Sequence, residues 1–286
     1  LDSLAGLRIS NLAKENGVFY SNSDGDQPGV LARMLEEVGS WGFTPKIVGN
    51  CKGFIDLHQD PIGVKPFVPS HQDLHKVCGM ADGTKQSIEM ATLGNAFGFY
   101  PLKRGMHGPT TSKHELVKTF DELVDLSSIK DTHVDYVLGI NGVDQGAGVF
   151  IVAHRDGPHI REDLKFLKKG EGPNYLFFRD RHLCHFETAA CIAEAVLFDN
   201  PLFYAKGRYI DVMGVAKRDL SPGQKIDGIG GFDCYGLVER ADIVDKEKFL
   251  PVGLAEYATV KKKIRKDEPI SYDMVDLSEN IVVTMR

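Results

Sequence analysis

Strand-like and helix-like segments alternate along this 286-residue chain as far as about Gly207, and there the alternation stops. Residues 4–16 carry Leu4, Leu7, Ile9 and Leu12 among polar neighbours, which predicts an amphipathic helix. "GVFYS" reads as a short strand, and from Pro28 the apolar residues Val30, Leu31, Met34, Leu35, Val38 and Trp41 return to helical spacing. "PKIVGNCKG" reads as a strand running out into a loop; residues 54–76, rich in Pro, His and Asp, predict no regular structure. A helix over about 84–96 follows, then strands at "VDYVLGI" and "GVFIVAHR", a short helix at 159–169, a strand at "NYLFF" and a long helix over about 183–198. This order implies an α/β or α+β domain.

After Gly207, short apolar runs alternate with Gly, Pro and Asp turns, and no helix is predicted. Two tail segments echo each other: "KRDLSPGQKID" (217–227) and "KKKIRKDEPIS" (261–271). Each sets a basic stretch before an aliphatic residue and a second aliphatic six positions later, Leu220 to Ile226 and Ile264 to Ile270. The repeat implies a small β domain of two pseudo-symmetric halves. The boundaries read from this are 1–207 and 208–286.

A net charge of −6 argues against a broad nucleic-acid footprint, and no apolar run approaches the roughly 20 residues of a membrane helix. Five cysteines, an odd number without C-x-x-C, suit a reduced, cytoplasmic protein. The chain opens on Leu1, directly in helix-like sequence, so it reads as a fragment of something longer.

Four stretches carry candidate chemistry. In "SNSDGDQPGV", a strand-to-helix turn of the kind that often holds an anion, Asp24 and Asp26 would repel a phosphate. Asp26 can instead cap the helix that Pro28 opens, and Asp26 with Gln27 can contact a substrate lying over the strand end. "NCKGF" sets Lys52 in a glycine-flanked loop, where an ammonium can bind an oxyanion or protonate a carbonyl oxygen. In "MADGTKQSIEMATLGNAFG", Asp82 can cap a helix whose Lys85 and Glu89 share a face, on an element otherwise apolar enough to be buried. In "FFRDRHLCHFE", Arg179, Arg181 and His182 stand at a helix start, suited to a phosphate or carboxylate, while His182, His185 and Glu187 offer weaker metal spacing. His71 and His75 read as a solvated pair. The glycines of "GINGVDQGAG" lie between strands with no helix following, and those of "GIGGFDCYG" lie in the tail, so neither is a dinucleotide fingerprint.

"GVFYSNSDGDQPG", "DGTKQSIEMA", "GMHGP", "REDLKFLKKGEGPNYLFFR", "HLCHFET" and "VAKRDLSPGQKIDGIGG" followed by "YGLVE" occur in this order. The series resembles the homoserine-dehydrogenase-like oxidoreductases with a C-terminal SAF domain, a family that includes the alternative 1-deoxy-D-xylulose 5-phosphate reductoisomerases. The resemblance covers nearly the whole chain. It implies an α+β catalytic and dimerisation domain followed by a small all-β SAF (β-clip) domain, preceded in family members by an NAD(P)-binding Rossmann domain that nothing here matches.

The resemblance implies that the G-D-Q-P-G turn borders the substrate pocket, facing the nicotinamide. It places Asp26, Lys52, Lys85 and Glu89 in the catalytic group, converging with Arg179 on one pocket. Gln27, Asp82, Thr84, Arg179, Arg181 and His182 fall to substrate contact. The roles assigned are Lys52 or Lys85 as the acid that protonates the developing alkoxide, and the carboxylates as hydroxyl acceptors or metal ligands. The family usually has a proline after the arginine where this chain has "RDRH", which leaves the anion ligand open between Arg179 and Arg181. The implied activity is hydride transfer from NADPH or NADH to a carbonyl of a small hydroxylated or phosphorylated substrate, directly or after a skeletal rearrangement, with room for a divalent metal. The implied assembly is a homodimer or higher homo-oligomer, without nucleic acid or membrane. The competing reading is a cofactor-free SAF-containing module that binds a sugar acid or a partner subunit.

Overall fold

The computed structural model describes residues 2–139, 148–278 and 281–285. In chain order the elements are α1 (Asp2–Glu15), α2 (Gln27–Ser40), β1 (Thr44–Lys52), α3 (Pro61–Val64), α4 (Leu74–Ala81), α5 (Thr84–Phe97), β2 (Tyr100–Pro101), β3 (Thr110–Thr111), α6 (Leu116–Val124), β4 (His133–Gly139) and β5 (Val149–His154). They continue with α7 (Pro158–Phe166), β6 (Asn174–Arg179), α8 (Cys184–Phe198), β7 (Ile210–Ala216), β8 (Cys234–Arg240), α9 (Ala241–Glu247), β9 (Thr259–Val260), β10 (Val275–Asp276) and α10 (Ile281–Met285). The architecture is mixed α/β, with a mixed sheet and small antiparallel sheets.

Two compact units divide the chain, and each is built from separated segments. The first gathers Leu1–Val18, Ile55–Gly105 and Ala205–Arg286; the second gathers Phe19–Phe54 and Met106–Tyr204. In the second unit the strands run β3-β4-β1-β5-β6. β3 pairs parallel with β4 and β4 with β1, whereas β1–β5 and β5–β6 are antiparallel. β1 is buried on both faces from Ile47 to Cys51, so adjacent residues such as Ile47 and Val48 are both apolar rather than alternating with polar ones. Helix α2 packs on β1 and β5 through Val30 and Leu31, both fully buried. Gly49 lets β4 come close: a Cβ there would lie 2.1 Å from the Asp135 carbonyl oxygen.

The first unit sets α1 and α5 against β7 and β8, which pair antiparallel from Ile210↔Arg240 to Ala216↔Cys234. The two echoing segments of the tail meet. Leu220 N–H donates to Ile264 O (2.8 Å) and Ile264 N–H returns the bond to Leu220 O (3.0 Å), while Leu220, Ile226, Ile264 and Ile270 are all fully buried. The basic residues of each echo therefore stand beside aliphatic residues that anchor the core.

Several predicted elements change. "GVFYS" forms no strand; its neighbourhood makes a single bridge, Asn22↔Phe203, and Val18 and Phe19 are exposed. Within 54–76 the chain is not wholly irregular: Asp60 caps α3, with Pro61 in its first turn, and Asp73 caps α4 by accepting from Lys76 N–H. Helix α6, which buries Leu116 and Phe120, was not predicted, nor were α9, a seven-residue helix, and α10 inside the tail expected to have none. Helices α6 and α9 are short, and neither opens with a side-chain cap. "GINGVDQGAG" falls almost wholly outside the described residues.

Candidate active site

The sequence-predicted residues fall in both units. Asp26, Gln27, Lys52, Arg179, Arg181 and His182 belong to the second, and Asp82, Thr84, Lys85 and Glu89 to the first.

In the second unit the opening turn is built to start α2. Asp26 takes the N-cap with extended backbone, and its carboxylate accepts Gln27 N–H at 3.0 Å. Asp24 is neutralised by Arg33, whose Nε lies 2.8 Å from Asp24 Oδ2 and whose guanidinium also reaches Glu194 at 2.9 Å. Gly25 (φ 88°) and Gly29 serve close approach: a Cβ on Gly25 would stand 2.6 Å from the Cys184 Cα, and one on Gly29 2.4 Å from the Ser23 carbonyl. The acidic residues of the turn thus cap and brace a helix, and the product of that bracing is the position of Gln27.

Gln27 is buried (1% exposed) and links α2 to the end of β1. Its amide donates from Nε2 to Gly148 O at 3.2 Å. Its Oε1 accepts from Lys52 Nζ at 2.6 Å and from Asn50 Nδ2 at 2.9 Å. Lys52 and Asn50 alternate along β1 and so project on one side of the sheet, which is why one glutamine reaches both. The ammonium is held at the C-terminal end of β1, half-buried, beside the Cys51 thiol that burial pushes up to about 12. Sequence reasoning named Lys52 and Gln27 separately, the latter as a substrate contact; the structure joins the two and adds Asn50, which was not named.

Arg179 ends β6 and is ion-paired with Glu187 in the first turn of α8, while the other Glu187 oxygen accepts Leu183 N–H at 2.9 Å. The guanidinium is therefore oriented, with further N–H donors available. Arg181 pairs with Asp180 at 3.2 Å, both well exposed, a contact worth a few tenths of a kcal/mol at most. With both carboxylate oxygens engaged, Glu187 does not suit the metal role considered with His182 and His185. Among the described residues no group of three His, Cys, Asp or Glu side chains could hold a metal ion.

A pair that sequence reasoning missed stands on the neighbouring strand. Asp135 of β4 is fully buried and accepts from the N–H groups of His107 (3.0 Å), Gly108 (2.9 Å) and Tyr136 (2.8 Å). His107 Nδ1–H also donates to it at 2.8 Å. The only sequence signal is the "GMHGP" turn, whose Met106 and Gly108 both carry positive φ.

In the first unit, Gly83 (φ 78°) opens α5 without a side-chain cap of its own, and Asp82 Oδ1 accepts Thr84 N–H at 2.8 Å. Thr84 Oγ1 accepts Gly236 N–H (2.8 Å), and Ser87 Oγ donates to Gly236 O (3.1 Å). In the same first turn Lys85 Nζ lies 3.3 Å from Oε1 of Glu89, one turn further along; the lysine is part-exposed and the glutamate 4% exposed. Burial of one partner sets this pair apart from an ordinary surface bridge.

A family model described as "Oxidoreductase DRL, catalytic domain" matches residues 25–188, from the opening turn to the first turns of α8. The chain belongs to the DRL oxidoreductase family. Over half of its length is therefore an oxidoreductase catalytic domain, and the Gln27–Lys52 and Lys85–Glu89 pairs fall inside the matched DRL segment. No curated protein matches the chain. No helix among the described residues is long and apolar enough to cross a membrane.

The cysteines of the chain differ in burial. Burial raises the thiols of Cys51 to about 12 and Cys78 to about 11, and raises that of Cys234 as well, whereas Cys184 is exposed at the start of α8. Titration with a disulfide reagent at pH 8 is expected to modify Cys184 rapidly in the native protein and the buried thiols only after denaturation. Modification of Cys51 at a rate matching Cys184 would contradict this picture.

Proposed function

We propose that this chain is the catalytic portion of an NAD(P)H-dependent carbonyl reductase acting on a small hydroxylated or phosphorylated substrate, in the manner of homoserine dehydrogenase or of the reductoisomerases that act on 1-deoxy-D-xylulose 5-phosphate. The observation that carries the reading is the Lys52 ammonium, held by Gln27 Oε1 at the end of β1 within the oxidoreductase domain. The nicotinamide cofactor, when bound, supplies the hydride. As the carbonyl carbon gains the hydride, its oxygen takes up the electron pair and becomes an alkoxide. Lys52 gives that oxygen a proton and recovers one from solvent, and its positive charge favours the developing anion before transfer is complete.

Within this reading Asp26 shapes the start of α2 and, with it, the seat of Gln27. Lys85 and Glu89, in the other unit, are proposed as catalytic residues too, the lysine as an alternative acid and the carboxylate as acceptor for a substrate hydroxyl. Arg179, oriented by Glu187, holds a phosphate or carboxylate, with Arg181 and His182 beside it. Asp82 and Thr84, engaged within their own unit, enter as residues that fix the start of α5. The tail from about residue 208 is proposed as a SAF-like domain, supported by the mutual pairing of Leu220 and Ile264, and the protein as a homo-oligomer in the cytoplasm.

The test is cofactor consumption by the product of the whole gene. NADPH and NADH are supplied with 1-deoxy-D-xylulose 5-phosphate, and NADP with homoserine. Substrate-dependent turnover with one pair is the expected outcome; no turnover with any of them would remove this substrate class.

A further inference from the structure

Lys217 follows β7 in the tail and opens the first of the two echoing segments, 217–227. It is 5% exposed, and its ammonium is surrounded by acceptors. Nζ donates to Gln59 O and Gly231 O, each at 2.7 Å, and lies 2.8 Å from Asp82 Oδ2. The hydrogen bonds of the ammonium go to these two carbonyls and, at 3.6 Å, to the Cys78 sulfur, while Asp82 meets it as a buried ion pair. Asp82, fully buried, divides its carboxylate between Lys217 and the first N–H of α5.

From this geometry we infer that Lys217 is a positioning residue for the catalytic pair on α5. It fixes the Asp82 carboxylate, which fixes the first turn of α5, which in turn sets Lys85 and Glu89. Gly236 supports the same turn from β8: a Cβ there would stand 3.1 Å from the Thr84 methyl, and both of its backbone polar groups bond to α5. The other end of α5 is held as well, since Asn95 Oδ1 accepts Tyr209 and Ile210 N–H and Asn95 Nδ2 donates to Ile210 O. The tail thus acts as the clamp for one catalytic helix, with Lys217 as its charged contact. The inference rests on the proposed role of Lys85 and Glu89.

The experiment compares wild type, Lys217→Met and the neutral double variant Lys217→Met/Asp82→Asn. The double variant leaves no uncompensated buried charge and so folds even where the single variant does not. Two quantities are read at a temperature where the double variant is fully folded: kcat and KM with the substrate identified by cofactor consumption, and amide exchange over α5 and over the β7–β8 pair. A kcat at least about tenfold lower with KM within about twofold is expected, because a small misplacement of a catalytic group acts on the transition state. Exchange of the first-turn amides of α5 is expected to rise about a hundredfold while the β7–β8 ladder keeps its protection. Wild-type kcat with wild-type α5 protection would overturn the inference, as would equal loss of protection in α5 and in β7–β8, which marks a merely structural residue. Should wild type turn over none of the substrates, the proposed function fails. The clamp is then judged by exchange alone, supported by loss confined to α5 and refuted by uniform loss or none.

Discussion

Lys52→Ala is expected to leave a folded protein whose turnover falls by about 10²- to 10³-fold. The ammonium is the proposed proton donor to the developing alkoxide, and removing such a group costs on the order of 3–4 kcal/mol of transition-state stabilisation. The cost to stability is far smaller. Lys52 is half-buried at the end of its strand and donates to Gln27 Oε1, which keeps the bond from Asn50 after the change. A net loss of about 1 kcal/mol is expected. Turnover and thermal midpoint measured on the same preparation separate the two effects. Normal turnover in Lys52→Ala would remove Lys52 from the chemistry.

Asp135→Ala is expected to do the reverse and act on the fold. Asp135 satisfies three main-chain N–H groups and the His107 ring from a fully buried position, so alanine leaves several donors without an acceptor beside β4. Each stranded buried donor costs roughly 1–3 kcal/mol, and relaxation of the "GMHGP" turn recovers part of this. A loss of about 3 kcal/mol or more in urea unfolding is predicted, with Asp135→Asn intermediate because its carbonyl oxygen still accepts. A loss below about 1 kcal/mol would show that the turn finds other partners.

Legibility in the sequence followed the range of the interactions. Helices α2 and α5 were visible because an apolar period and a start signal lie within a few residues of each other, and β1 because Ile47 and Val48 stand in a short stretch bounded by Pro45 and the glycine-flanked loop after Cys51. "GVFYS" has strand composition, yet strand pairing is settled by a partner far along the chain, and here that partner is a single bridge from Phe203. Helix α6 offered too short a period to stand out, and α9 was hidden by the turn-rich tail around it.

The candidate site divides along the same line. Lys85 and Glu89 are four apart and could be paired on paper. That Gln27 would hold Lys52, that Asp82 would meet Lys217, and that Asp135 would gather the "GMHGP" turn depend on contacts between residues distant in sequence. No local pattern encodes them. The tail echo is the exception: a repeat is visible in sequence even when its halves meet only in space, and Leu220 and Ile264 do meet.

The central claim, hydride transfer to a substrate carbonyl, is tested most directly by isotope. The product of the whole gene is incubated with NADPH or NADH carrying deuterium at the transferable position and with 1-deoxy-D-xylulose 5-phosphate, and the product is examined by mass spectrometry and NMR. The account predicts one deuterium bound to the former carbonyl carbon, with one equivalent of cofactor oxidised, and a much slower appearance of label in Lys52→Ala. A product formed without label, or formed while the cofactor stays reduced, would contradict it.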